Sequence, residues 1–242
     1  MNMKTILVVA AILAFGASMQ ADGNAAARLL ELADGFRGGL DSGIVRVKLT
    51  NFDADRTVEE ADFEVSLKGD NSLVRFLSLK SKGQSLLMRG DDMWFFLPAV
   101  ARPVRITPIQ RLLGNVSNGD LARLRYAVDY DASVEGEEEA DGVRCTVLDL
   151  RAKRKGATYQ RVRYFVRKTD ARPIRAEYFL TSGKPIKTAA FGELRDMGGK
   201  PTLTRINIQD TTRPASRTTI DFISITPRAL PDKLFSPSRA EG

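Results

Sequence analysis

Apolar and polar residues alternate along most of this chain, and that alternation constrains the fold more than any other feature. Val45, Val47 and Leu49 are interleaved with Arg46, Lys48 and Thr50. Phe63, Val65 and Leu67 alternate with Glu64, Ser66 and Lys68, and Val74 and Phe76 flank Arg75. Strand-like runs also cover residues 85–89, 92–97, 144–151, 159–168, 174–181, 186–194, 203–209 and 216–225. A period of two puts alternate side chains on opposite faces of a pleated strand. Turn residues such as Gly69-Asp70-Asn71, Gly90-Asp91 and Ser182-Gly183-Lys184 separate the runs at spacings that suit an antiparallel meander. The expected fold is mainly β (α+β). Short strands with turns at this spacing argue an antiparallel sheet of about ten or eleven strands, strongly curved or barrel-like.

Helical signals are few. Residues 25–36 place Leu29, Leu32, Ala33 and Phe36 on one face, and Gly38-Gly39 ends the pattern. Short helices are expected around Pro108–Leu113, at Asp120–Leu124 and at Pro231–Phe235, with Asp120 as an N-cap. No repeat or linker divides the chain, so residues 22–242 read as one domain.

Residues 1–21 read as an export signal. Lys4 supplies the positive start, Ile6–Phe15 the apolar core, and Ala21 the preferred cleavage position. Ten apolar residues are too few to cross a bilayer core of ~30 Å as a helix. No cysteine lies near this site, so a lipid-modified N-terminus is not expected. The expected product is a soluble exported protein.

Histidine is absent, which excludes Ser-His-Asp and Cys-His catalysis and histidine zinc sites. The one cysteine, Cys145, allows no intramolecular disulfide and reads as a small buried hydrophobe. The acid pairs Asp91-Asp92 and Asp129/Asp131 sit in turn-like segments and read as turn-formers. Carboxylate, lysine or tyrosine chemistry stays open, but the balance shifts toward a protein that binds rather than reacts. The formal net charge of +7 points an exported chain toward anionic lipid or acidic protein surfaces, not nucleic acid. Glu135–Asp141 (EGEEEAD) reads as a solvated hairpin tip. A basic hairpin carries Arg151, Lys153, Arg154, Lys155, Arg161, Arg163, Arg167 and Lys168. It reads as a solvent face, with a docking edge for an acidic partner or a membrane surface as the alternative.

Residues 89–124 hold the only tryptophan, Trp94, inside the apolar run Met93–Leu97. A strand apolar on both faces needs cover on both sides. Pattern alone leaves open whether a protein layer or an apolar ligand supplies it.

The segment Gly90-Asp91-Asp92-Met93-Trp94-Phe95-Phe96-Leu97-Pro98, followed by Arg105-Ile106 and by Gly114-Asn115-Val116-Ser117-Asn118-Gly119-Asp120-Leu121, resembles the LolA-like outer-membrane lipoprotein-sorting proteins. The resemblance implies an incomplete, strongly curved antiparallel β-barrel of about ten or eleven strands, with a short helical lid over an apolar cavity, that carries lipoprotein acyl chains or another lipid toward the outer membrane. An inner-membrane exporter would load it and an outer-membrane acceptor would receive its cargo. A related module that binds a protein partner is the alternative. Residues 115–120 depart from the phenylalanine-rich segment common in that family. On this reading Val45, Val47, Phe63, Val65, Leu67, Phe76, Trp94, Phe96, Val162, Tyr164, Val166, Tyr178 and Ile206 line the cavity. Leu29, Leu32, Leu112, Leu113 and Leu121 form the lid, and Arg102 and Arg105 lie at the rim.

Overall fold

In a computed structural model, residues 23–237 other than 101 and 198 are described, and the expected export signal lies outside them. A first helix, α1, covers residues 23–35. One meander then runs through β1 (Ser42–Asp53), β2 (Arg56–Lys68), β3 (Asn71–Phe76), β4 (Ser85–Arg89), β5 (Asp92–Phe96) and β6 (Val104–Ile106). A connecting segment holds a small hairpin, β7 (Arg111–Leu113) and β8 (Val116–Ser117), then α2 (Asn118–Ala122) and α3 (Tyr126–Asp129). A second meander follows: β9 (Tyr130–Ala140), β10 (Val143–Ala152), β11 (Arg161–Arg167), β12 (Pro173–Phe179), β13 (Pro185–Asp196), β14 (Pro201–Asp210) and β15 (Ser216–Pro227).

The two meanders become one 13-stranded antiparallel sheet because β1 pairs with β15, with Val45 opposite Ile225 and Leu49 opposite Ile220. The sheet has two free edges, β6 and β9, and is not closed into a barrel. It is strongly bent. The turn before β5 and the loop after β10 are more than eight strands apart in the sheet order, roughly 40 Å if the sheet were flat. Yet Arg154 Nε donates to Asp91 Oδ1 at 2.7 Å and Arg154 Nη1 to Asp70 Oδ2 at 2.8 Å. Register shifts at Arg46/Val47, Asn51/Phe52 and Val147/Leu148 supply local bends of the kind that β-bulges produce.

The inner face of this bent sheet carries the main core. Val45, Val47 and Leu49 of β1 join Phe63, Val65 and Leu67 of β2 there, with Leu148 and Leu150 of β10, Val162, Tyr164 and Val166 of β11, and Ile206 and Ile208 of β14. Helix α1 adds Ala26, Leu30 and Ala33, and the connecting segment adds Leu113, Val116, Leu121 and Tyr126. Two smaller clusters lie elsewhere. Ala140, Cys145, Val147, Phe165 and Ile174 form one, so Cys145 is buried among hydrophobes as its sequence context suggests. Leu73, Leu87, Leu230 and Phe235 form the other.

Several expectations need correction. The large sheet exceeds the expected ten or eleven strands. Strands β7, β8 and β9 are additional, and β6 was expected only from the family resemblance. Glu135–Glu139 are part of edge strand β9, not a hairpin tip. Arg163 donates to Glu135 at 2.8 Å, Glu138 at 2.5 Å and Glu177 at 3.0 Å, while Lys168 meets Glu137 at 2.5 Å. The basic hairpin is therefore engaged by the acids of the neighbouring strands. Residues 111–113 form a strand rather than a helix. The N-cap of α2 is Ser117, and Asp120 sits at the third helical position, where its Oδ2 accepts from the Ser117 N–H at 2.8 Å.

The β7–β8 hairpin is tied to the sheet at Gly114. Its φ is +54°, and a Cβ there would run into the side chains of Asn51 and Thr218. Those groups are already engaged: the Asn115 N–H donates to Thr218 Oγ1 at 2.8 Å, and Thr218 Oγ1 to Asn51 Oδ1 at 2.9 Å. Gly114→Ala is expected to lower stability by about 1–3 kcal/mol in thermal unfolding, through both strain and overpacking. An unchanged melting temperature would contradict this tie.

Candidate functional site

Eleven of the thirteen expected cavity residues share the inner-face core. Val45, Val47, Phe63, Val65, Leu67, Val162, Tyr164, Val166, Tyr178 and Ile206 are buried in it, and Phe76 packs against it. Trp94 and Phe96 do not. Strand β5 pairs with β4 so that Met93 faces Met88 and Trp94 faces Leu87. Alternation then sends Met93 and Phe95 to the inner core and Trp94 and Phe96 to the opposite face. There Leu230 and Phe235 cover them, the latter on a 3-10 helix, Asp232–Phe235. The doubly apolar strand is thus covered by protein on its outer face.

Of the expected lid residues, Leu113 and Leu121 are buried in the inner core, and Leu29 and Leu112 pack against it. Leu32 does not; it is 59% exposed. The buried stripe of α1 is Ala26, Leu30, Ala33 and Asp34, continued by Arg37 beyond the helix. Two charged residues on that stripe disguise it in the sequence. At the expected rim, Arg102 is exposed and Arg105 forms an ion pair with Asp92 across β5 and β6. Arg105 also borders a cleft between that edge and the β11–β12 side. This cleft is walled by Met93, Ile106, Ile109, Tyr159 and Phe179, with about 1050 Å³ of free space including its mouth.

Periodicity gives no sign of the polar cluster inside the bend. All five tyrosines are buried: Tyr126, Tyr130, Tyr159, Tyr164 and Tyr178. Tyr126 stacks edge-on against Tyr130 and Tyr164, and its hydroxyl lies 2.8 Å from that of Tyr178. Burial raises the hydroxyl pKa of Tyr126, Tyr159, Tyr164 and Tyr178 above the usual value, so these hydroxyls stay protonated. Two buried cations enter this cluster. Lys187 Nζ donates to Asp120 Oδ2 at 2.8 Å, Ser117 Oγ at 2.9 Å and the Asn115 carbonyl at 2.9 Å, while Tyr159 donates to Asp120 Oδ1 at 2.6 Å. This set fastens α2 to β13. Arg37 lies over the Tyr126 ring, 3.9 Å from its centroid.

Asp34 accepts from the Ala127 N–H at 2.8 Å, so α1 is held to α3 by one carboxylate. Asp129 accepts from Arg123 Nη1 at 2.6 Å. The acid pairs read as turn-formers thus bind arginines: Asp91 engages Arg154, and Asp129 engages Arg123. The cluster combines apolar side chains, hydroxyls and paired charges inside the bend.

A LolA superfamily protein from Nitrosomonas europaea is 33% identical to this chain, with a TM-score of 0.82 over 87% of this chain and 97% of that one. The chain belongs to the LolA superfamily. A family model described as "Uncharacterized protein" also matches residues 68–240. Two solved structures show the same fold as this LolA superfamily member. A DUF1329 family protein from Desulfovibrio piger is 23% identical, with a TM-score of 0.72 over 92% of this chain and 98% of that one. An outer membrane lipoprotein-sorting protein domain from Vibrio parahaemolyticus is 16% identical, with a TM-score of 0.73 over 90% and 99%. No curated protein matches the chain.

Asp129 gives this LolA superfamily member a distinctive pH response. Burial pushes its pKa up to about 6, against the pull of Arg123 and Arg154. Between the ordinary carboxylate range and pH 6 the folded chain therefore keeps a proton that the unfolded chain has released. That contribution to stability is present at the acid end and is lost as pH rises through about 6. Relative to wild type, Asp129→Asn should gain melting temperature steadily from pH 4 to pH 7. A difference that stays flat, or runs the other way, would contradict the raised pKa.

Proposed function

We propose that this protein is a periplasmic carrier. It binds lipoprotein acyl chains or another lipid on the inner face of the bent sheet and takes them toward the outer membrane. On this reading residues 1–21 direct export, residues 22–242 form one domain that acts as a monomer, and neither catalysis nor a cofactor is involved. Loading from an inner-membrane exporter and delivery to an outer-membrane acceptor follow from carriage. No helix among the described residues is long and apolar enough to cross a membrane.

The observation that carries this reading is how the inner core is completed. An open sheet shares its apolar face with α1 and the connecting segment, and among the described residues no strand seals the gap between β6 and β9. Magnitudes favour exchange. The apolar stripe of α1, with Leu30 buried and Leu29 half-buried, contributes roughly 5 kcal/mol. Ten buried methylenes of an acyl chain contribute ~8 kcal/mol. Cargo can therefore replace α1 on the same surface, with α1 and the connecting segment acting as a lid.

The test is native mass spectrometry of periplasm-purified protein, with titration of delipidated protein by a fluorescent acyl probe. Lipid or acylated adducts and saturable binding are expected. Adduct-free protein that ignores the probe, or that carries one stoichiometric protein partner instead, overturns the reading.

A further inference from the structure

A cleft beside the C-terminal end of α1 holds a buried guanidinium with unusually few partners. Its floor includes Arg37 and Arg123, and its walls include Val45, Leu67, Met88 and Leu124, around about 520 Å³ of free space including the mouth. Both arginine side chains are deeply buried, at 4% and 5% exposure. Arg123 is largely committed, donating to Asp129 and to the Gly90 carbonyl at 2.5 Å. Two other charged groups at the cleft are also engaged, Arg125 with Asp41 and Asp70 with Arg154.

Arg37 differs. Neither Nε nor Nη1 has a hydrogen-bond acceptor in the protein. Its nearest acid, Asp34, stands 3.7 Å away, an ion-pair contact too long for a hydrogen bond. The guanidinium lies over the Tyr126 ring, 3.9 Å from its centroid. A buried guanidinium with idle donors is costly, and such groups are rare in native proteins. An oxyanion would satisfy them, because the planar fork matches carboxylate and phosphate geometry.

We propose that this cleft seats the acidic head of an amphiphilic cargo. A carboxylate or phosphate oxygen accepts from Arg37, and the attached chain runs along Val45, Leu67 and Met88 into the inner core. This rests on the carrier reading and narrows it: the protein selects cargo by head charge as well as by chain.

The experiment uses the full mature chain, delipidated, with a pyrene-labelled fatty alcohol as reporter. Competitors are dodecanoate, its methyl ester and inorganic phosphate. Wild type should bind dodecanoate about tenfold or more tighter than the ester, the scale of a charge-assisted hydrogen bond. Phosphate alone should compete weakly. Arg37→Gln should lose the preference, and Arg37→Lys should retain part of it. Equal affinity for acid and ester in wild type overturns the proposal while leaving carriage intact, and needs no variant to fold. Phosphate that binds as tightly as dodecanoate also overturns it, since the site would then read a free anion. Failure of every amphiphile to bind removes the carrier reading as well.

Discussion

Replacing Asp120 with alanine is expected to cost about 3–5 kcal/mol, the range seen when one partner of a buried ion pair is removed. Lys187 and Asp120 are buried to 7% and 6% side-chain exposure and lie 2.8 Å apart. Without the carboxylate, Lys187 keeps only Ser117 and the Asn115 carbonyl as neutral acceptors. Tyr159 and the Ser117 N–H lose their acceptor too. For a chain of this size the melting temperature should fall by roughly 10 °C or more. Asp120→Leu combined with Lys187→Met should recover much of the loss, because no charge is then left buried alone. A single-variant loss below about 1 kcal/mol would mean that the network does not hold α2 on the sheet.

Leu30→Ala should produce two effects of opposite sign. Leu30 is 1% exposed and is the largest apolar side chain that α1 buries in the inner core. Its truncation should lower stability by about 2–5 kcal/mol, the usual cost of a large-to-small core change. If α1 and cargo compete for the same surface, weakening α1 must strengthen cargo. Acyl-probe affinity should therefore rise by about tenfold or more, since about 1.4 kcal/mol corresponds to a factor of ten. A variant that loses stability and probe affinity together would show that α1 forms part of the binding wall, not its competitor. Leu32→Ala is the matched control: Leu32 is exposed, and neither quantity should move.

These predictions centre on groups that alternation does not reveal. Strands with one buried face, such as β1 and β2, are legible because burial and period two coincide there. Strand β9 is not, because it is a charged edge whose acids are balanced by Arg161, Arg163 and Lys168, a pairing set by three-dimensional proximity. Strand β5 is apolar on both faces, so the sequence cannot orient Trp94. Its cover comes from Leu230 and Phe235, more than a hundred residues further along the chain. The register of α1 is hidden because Asp34 and Arg37 occupy the buried stripe, where a hydrophobic count finds nothing. The tyrosines converge from α3, β9, β11, β12 and the loop before β11, a long-range arrangement with no local spacing to mark it.

The most direct measurement is paramagnetic broadening by a spin-labelled fatty acid bound to the delipidated protein. Methyl resonances of Val47, Val65, Val162 and Val166 should broaden in saturable fashion, while the Trp94 indole signal on the opposite face stays sharp. Broadening centred on Trp94, with the inner-face valines unaffected, would contradict the inner face as the seat of cargo.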